Sequence, residues 1–142
     1  RMSNVCAAIG RGQMEVLDEH IAVRRSNWEK YNEAFKNYKG VSLLEEPGGY
    51  FSNRWLSTIV VDPAYTGGVT REDIRFELEA DNIESRPLWK PMHMQPVFKD
   101  APQYTNGVSE KLFSKGLCLP SGSNLSDEDL RRVIQKVTKT LL

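Results

Sequence analysis

Between residues 5 and 38 there is no proline, and Met14, Leu17, Ile21, Trp28, Tyr31, Phe35 and Tyr38 recur at alternating steps of three and four, with Arg24 interrupting the series. A 3.6-residue period puts these positions on one stripe, so the spacing predicts a single long helix with one buried face. Its first turns are different: Ala7, Ala8, Gly10 and Gly12 carry almost no side chain and allow another backbone to come close. Gly40 stands where a C-terminal cap belongs, residues 41–44 read as a short strand, and Pro47-Gly48-Gly49 is turn chemistry.

The period then shortens. Residues 54–61, Arg-Trp-Leu-Ser-Thr-Ile-Val-Val, are β-branched and aromatic and stop at Asp62-Pro63, which predicts a well-buried strand. Thr70 is the N-cap of a helix over 71–81, with Glu72 and Asp73 in its first turn and Ile74 and Leu78 on its core face. Residues 83–89 read as extended, since Pro87 keeps Arg86 out of the helical region, and Pro91 and Pro96 bracket an irregular loop. A short helix over 109–114, a strand over 116–120 and a loop over 121–124 follow. Ser126 caps a last helix that turns Leu130, Val133, Ile134 and Val137 inward. The sum is an α+β fold: a small sheet covered by helices, preceded by a long helix over about residues 5–38.

The 142 residues fit one domain. Their 19 basic and 19 acidic side chains cancel without any basic block, so no nucleic-acid or membrane partner is expected. Cys6 and Cys118 lie far apart and form no CxxC, which argues against a disulfide framework and against a metal site. No apolar run nears the roughly 20 residues that cross a bilayer, and no signal pattern opens the chain; a soluble, cytoplasmic protein is expected. The chain begins at Arg1 rather than at a methionine, so a further region is expected upstream.

Catalytic signatures are scarce. HExxH, GxSxG, the Walker loop and GxGxxG are all missing, and His20 and His93 are the only histidines. The unusual stretch holds Arg86, Trp89, Lys90 and His93 within eight residues, interleaved with prolines. A stiff loop with two cations, an aromatic face and a titratable ring suits an anionic ligand with a flat or sugar-like part. The plainer alternative is a loop whose tryptophan plugs the core and whose charges are solvated. Arg1, Ser3 and Asn4 form a second candidate, because a helix N-terminus attracts anions; there the plainer alternative is a simple cap.

Arg1-Met2-Ser3-Asn4 with Ala7-Ala8-Ile9-Gly10 and Gln13, then Ser85 through His93 with Gln95, Pro96 and Phe98, then Gly116-Leu117-Cys118-Leu119-Pro120-Ser121-Gly122 and Ser126-Asp127-Glu128-Asp129, resemble the DegT/DnrJ/StrS family of sugar aminotransferases in order. The resemblance implies the C-terminal small domain, spanning 1–142, of a fold-type I enzyme that uses pyridoxal 5'-phosphate. The family's large cofactor domain and its Schiff-base lysine lie upstream of Arg1, so no catalytic residue is expected in this chain and the fragment should be inactive alone. The Arg-Pro-Leu-Trp-Lys-Pro-Met-His form looks most like enzymes that aminate C4 of a UDP-linked 4-keto-6-deoxy N-acetylated hexose, with glutamate as amino donor, for cell-surface polysaccharide or glycan synthesis. A homodimer that builds each site from both subunits is implied as well. Carried over residue by residue, Arg1 and Asn4 approach the cofactor or sugar phosphate, and Arg86, Trp89, Lys90 and His93 line the nucleotide-sugar entrance. The alternatives are a sugar dehydratase of the same family, with histidine in place of the lysine, and a non-catalytic nucleotide-binding or regulatory module.

Overall fold

The computed structural model describes all of residues 1–142. The elements run α1 (Asn4–Glu15), α2 (Leu17–Phe35), β1 (Val41–Leu43), β2 (Ser57–Val61), α3 (Arg71–Ala80), β3 (Arg86–Pro87), α4 (Val108–Lys115), β4 (Gly116–Leu119) and α5 (Asp127–Leu141), with 3-10 turns at Met92–Met94 and Pro96–Phe98. The four strands form one sheet in the order β1-β2-β4-β3, antiparallel throughout. This is the expected α+β arrangement.

Alternation along β2 decides the layering. Ser57, Ile59 and Val61 are buried while Thr58 and Val60 are only half-buried, as a strand with one core face requires. Ile59, Val61, Leu117 and Leu119 meet Tyr31 and Phe35 of α2, Ile74 and Leu78 of α3, and Leu130, Val133 and Val137 of α5 in one cluster. Fully burying such an aliphatic or phenyl side chain is worth about 1.5–3 kcal/mol. Thr70 and Asp73 form a reciprocal capping box on α3, and the Ser126 hydroxyl accepts the Asp129 amide at the start of α5.

The expected helix over 5–38 is two helices. Val16 leaves the helical region (φ −115°, ψ 8°) and separates α1 from α2. Valine is a stiff helix residue, the two glycines before it weaken α1, and every side chain of α1 is exposed, so no packing holds the two axes in line. The strand expected from residue 54 starts at Ser57, because Arg54 sits at φ 49° and turns the chain there. Of the extended stretch 83–89, only Arg86–Pro87 enters the ladder.

Two glycines are sterically required. Gly40 adopts φ 89°, and a Cβ there would lie 2.8 Å from Tyr65 and 3.0 Å from the Asp62 carbonyl. Gly116 opens β4 where Leu88 and the Leu112 carbonyl fill the space any side chain would need.

Candidate functional site

Pro87 has no N–H for the ladder, so β3 stays two residues long on the edge of β4, with Arg86 opposite Cys118 and Pro87 opposite Leu117. The Leu88 amide still reaches the Gly116 carbonyl at 3.3 Å, and then the chain swings away through Trp89-Lys90-Pro91. Trp89 therefore does not plug the core; it is 67% exposed. Its ring faces that of Trp55, with centroids 6.1 Å apart and planes tilted by 33°.

Beside this pair opens a cleft of ≈ 370 Å³, lined by residues 55–56, 84–87 with Trp89, and 118–121. Its size lies at the lower end of the range for small-ligand sites, and it joins apolar walls to a few polar groups as such sites do. Arg86 stands at its edge, exposed, with Nε and Nη2 2.7 and 2.6 Å from the Glu84 carboxylate. A surface pair of this kind is weak, so an incoming anion can compete for the guanidinium. Cys118 also lines the cleft; burial pushes its thiol up, which keeps it neutral and unsuited to nucleophilic work.

The remaining expected residues are distributed differently. Lys90 is exposed, has no ion pair and lies off the cleft lining, while its carbonyl accepts the Gln95 side-chain amide at 3.2 Å. His93 turns towards α4, where Nε2 lies 2.7 Å from Glu110 Oε1 without the alignment of a full hydrogen bond. That contact ties the 88–98 loop to α4 and keeps His93 out of the cleft lining. Arg1 and Asn4 are exposed at the start of α1, where the Ser3 hydroxyl accepts the Cys6 amide at 3.2 Å, so a cap is present. No group of three or more His, Cys, Asp or Glu residues converges as metal ligands would.

Trp55 is a member of the site that the sequence pattern hides. Period-2 parity puts it on the buried face with Ser57, and only the left-handed turn at Arg54 brings it outside. The loop that carries it is held from beneath. Arg25 donates to both Glu46 oxygens at 3.0 Å, and Glu46 accepts the Ser52 amide at 2.7 Å. Arg25 above all, and then Ser52, draw the Glu46 carboxyl down to about 2. Arg54 donates to the Leu44 carbonyl at 2.7 Å and lies 3.7 Å above the Trp28 ring.

The sequence pattern of the DegT/DnrJ/EryC1/StrS aminotransferase family matches residues 1–138. EpsN of Bacillus subtilis (strain 168), whose name assigns it provisionally to the pyridoxal phosphate-dependent aminotransferases, is 43% identical over 139 residues, covering 95% of this chain and 35% of that protein. The GDP-perosamine synthase of Vibrio cholerae is 31% identical over 134 residues, covering 94% of this chain and 36% of that protein. Among solved structures, DesI in the presence of its TDP-sugar product superposes with a TM-score of 0.89 at 26% identity, over 99% of this chain and 36% of that one. The chain thus spans about a third of the length of the relatives it matches. An α+β unit whose whole length follows this pattern belongs to the DegT/DnrJ/EryC1/StrS aminotransferase family.

Proposed function

We propose that the chain is the C-terminal small domain of a pyridoxal-phosphate-dependent aminotransferase that passes the amino group of glutamate to a nucleotide-linked keto sugar. The observation that carries this reading is the Trp55–Trp89 pair at a cleft edged by Arg86, in a chain of this family. Aromatic faces suit a base or a sugar, and the guanidinium suits a diphosphate. The share of the relatives' length covered supports a second, larger domain that holds the cofactor.

Pyridoxal phosphate itself has two ends to satisfy. Its phosphate fits the start of α1: Arg1 is exposed with no ion pair, beside the unpaired amides of a helix first turn that includes Asn4. The reacting end finds no counterpart here, since no lysine lines the cleft. When bound, the cofactor supplies an electron sink for carbon–nitrogen chemistry. This chain's own residues bind and orient: Trp55 and Trp89 flank the sugar or base, Arg86 leaves Glu84 for the diphosphate, and Lys90 adds positive charge at the entrance. His93 serves by fixing the loop through Glu110, which modifies the direct lining role that the resemblance implies for it.

In this reading the enzyme is a homodimer with each site built from both subunits, and it acts in the cytoplasm on a precursor of cell-surface polysaccharide or glycan. The unpaired state of Cys6 and Cys118 supports a reducing compartment. No helix is long and apolar enough to cross a membrane.

The test is an assay of the full-length protein containing this chain, supplied with pyridoxal phosphate, glutamate and UDP-, GDP- or dTDP-linked 4-keto-6-deoxyhexoses. Nitrogen should move to one of them. Trp89→Ala and Arg86→Ala should each raise the sugar-nucleotide KM about tenfold, the scale of one stacking face or one charge-assisted bond, with unfolding unchanged. Wild-type kinetics in both variants would return the loop to a structural part.

A further inference from the structure

Arg24 is the residue that breaks the apolar stripe of the second helix, and its surroundings give the break a purpose. The pairing of β2 with β4 ends at Ser57 opposite Leu119. One step further along each strand stand Leu56 and Pro120, and Pro120 has no N–H to continue the ladder. Two steps further stand Trp55 and Ser121, whose carbonyls no strand pairing satisfies.

Both carbonyls are met by a single atom. Arg24 Nη1 donates to the Trp55 carbonyl at 2.7 Å and to the Ser121 carbonyl at 3.1 Å. The rest of the same helix face continues the grip: Asn27 Nδ2 donates to the Gly122 carbonyl at 3.2 Å and Tyr31 Oη to the Pro120 carbonyl at 2.9 Å. Residues 24, 27 and 31 follow helical spacing, so one side of α2 satisfies three successive carbonyls of the 120–122 loop. The Ser121 hydroxyl closes the remaining gap, accepting the Ser57 amide and donating to the Leu119 carbonyl, both at 2.7 Å.

Of these contacts only Arg24's joins two walls of the cleft, because Trp55 and Ser121 both line it. We propose that Arg24 is a positioning residue for substrate: by bridging the Trp55 and Ser121 carbonyls it fixes the opening at which Trp55 faces Trp89, and so sets how tightly the nucleotide-linked sugar is held. The assignment rests on the proposed function of the cleft. Arg24 touches no reacting group; it works through the backbone that carries Trp55.

The experiment compares wild type, Arg24→Ala, Arg24→Gln and the surface control Arg131→Ala in the full-length protein, with the same panel of keto-sugar nucleotides and glutamate. Arg24→Ala should raise the sugar-nucleotide KM about tenfold while kcat and the glutamate KM stay within about twofold, the pattern of lost uniform binding. Arg24→Gln keeps one amide donor and the packing of the stem, so it should fall between wild type and Arg24→Ala; it carries the measurement if Arg24→Ala does not fold. Amide exchange should quicken in residues 53–57 and 119–123 and stay unchanged in α5. A purely structural arginine would lower thermal stability without separating the two KM values. Wild-type sugar KM in the Arg24 variants of an active enzyme overturns this assignment alone. A wild-type protein that aminates no member of the panel overturns the proposed function, and this assignment with it.

Discussion

The two N-terminal helices read as one long helix in the sequence and have opposite fates. None of the twelve residues of α1 is buried, and Val5, Ile9 and Met14 are 61–69% exposed. In α2, Tyr31 and Phe35 are fully buried, their rings stacked at 6.0 Å. The difference teaches that an apolar stripe states what a helix is able to bury, while the partner decides whether it does. The stripe of α2 is cut for this sheet; the apolar side chains Val5, Ile9 and Met14 of α1 find no cover among these 142 residues. Polar groups of α2 are engaged as well, since Arg24, Arg25, Asn27 and the Tyr31 hydroxyl hold the loops that shape the cleft.

The largest expected effect separates the two helices directly. Phe35→Ala empties a fully buried position and should cost about 3–5 kcal/mol in denaturant unfolding of the chain, which is much of a small domain's stability. Ile9→Ala should change it by less than about 0.5 kcal/mol, as at other exposed positions. Equal losses at the two positions would mean that α1 is packed after all, and the contrast would fall.

The caps provide a finer version of the same comparison. Ser126 caps α5, a helix that contributes Leu130, Val133 and Val137 to the core. Ser126→Ala should therefore lower global stability by about 1 kcal/mol. Ser3 makes the equivalent bond for α1. Ser3→Ala should leave the unfolding midpoint in place and reduce only helicity near the N-terminus, readable by residue-specific amide exchange. A shared shift of midpoint would couple α1 to the core.

Several features are legible in the sequence because their causes are local. The N-caps at Thr70 and Ser126 and the strand through Ile59 and Val61 depend on neighbours within a few positions, and each forms as expected. The break at Val16, the left-handed Arg54 and the outward Trp55 depend on what the rest of the fold does or does not press against them, so their local pattern reads as continuous helix and strand. Arg86 and Trp89, three positions apart in the loop motif, both line one cleft. The motif gives no sign that His93 faces Glu110, seventeen positions on, or that Arg24, an interruption in the stripe, bridges residues 31 and 97 positions away. Contacts at such separations leave no period in a single sequence.

The smallest expected effect is local and tests whether the polar groups of α2 hold its loops as firmly as its apolar side chains hold the sheet. Arg25 and the Ser52 amide hold the Glu46 carboxyl at about 2, below the roughly 4.3 of an unfolded glutamate. A depressed carboxyl stabilises the folded form above its unfolded value, and that contribution disappears as the pH falls towards the folded one. Lys30 likewise draws Asp127 down at the start of α5, so both of the contacts that α2 makes with acidic partners weaken as the pH falls. Between pH about 4.5 and about 2, amide exchange in residues 46–55, corrected for intrinsic rates, should quicken before the amides around Phe35 do. Glu46→Gln should show that faster exchange already at pH 7 and lose most of its further response to acid. If loop and core open together at every pH, the Arg25–Glu46 pair adds nothing of its own, and the grip of α2 on the cleft rests on uncharged contacts and on Arg24.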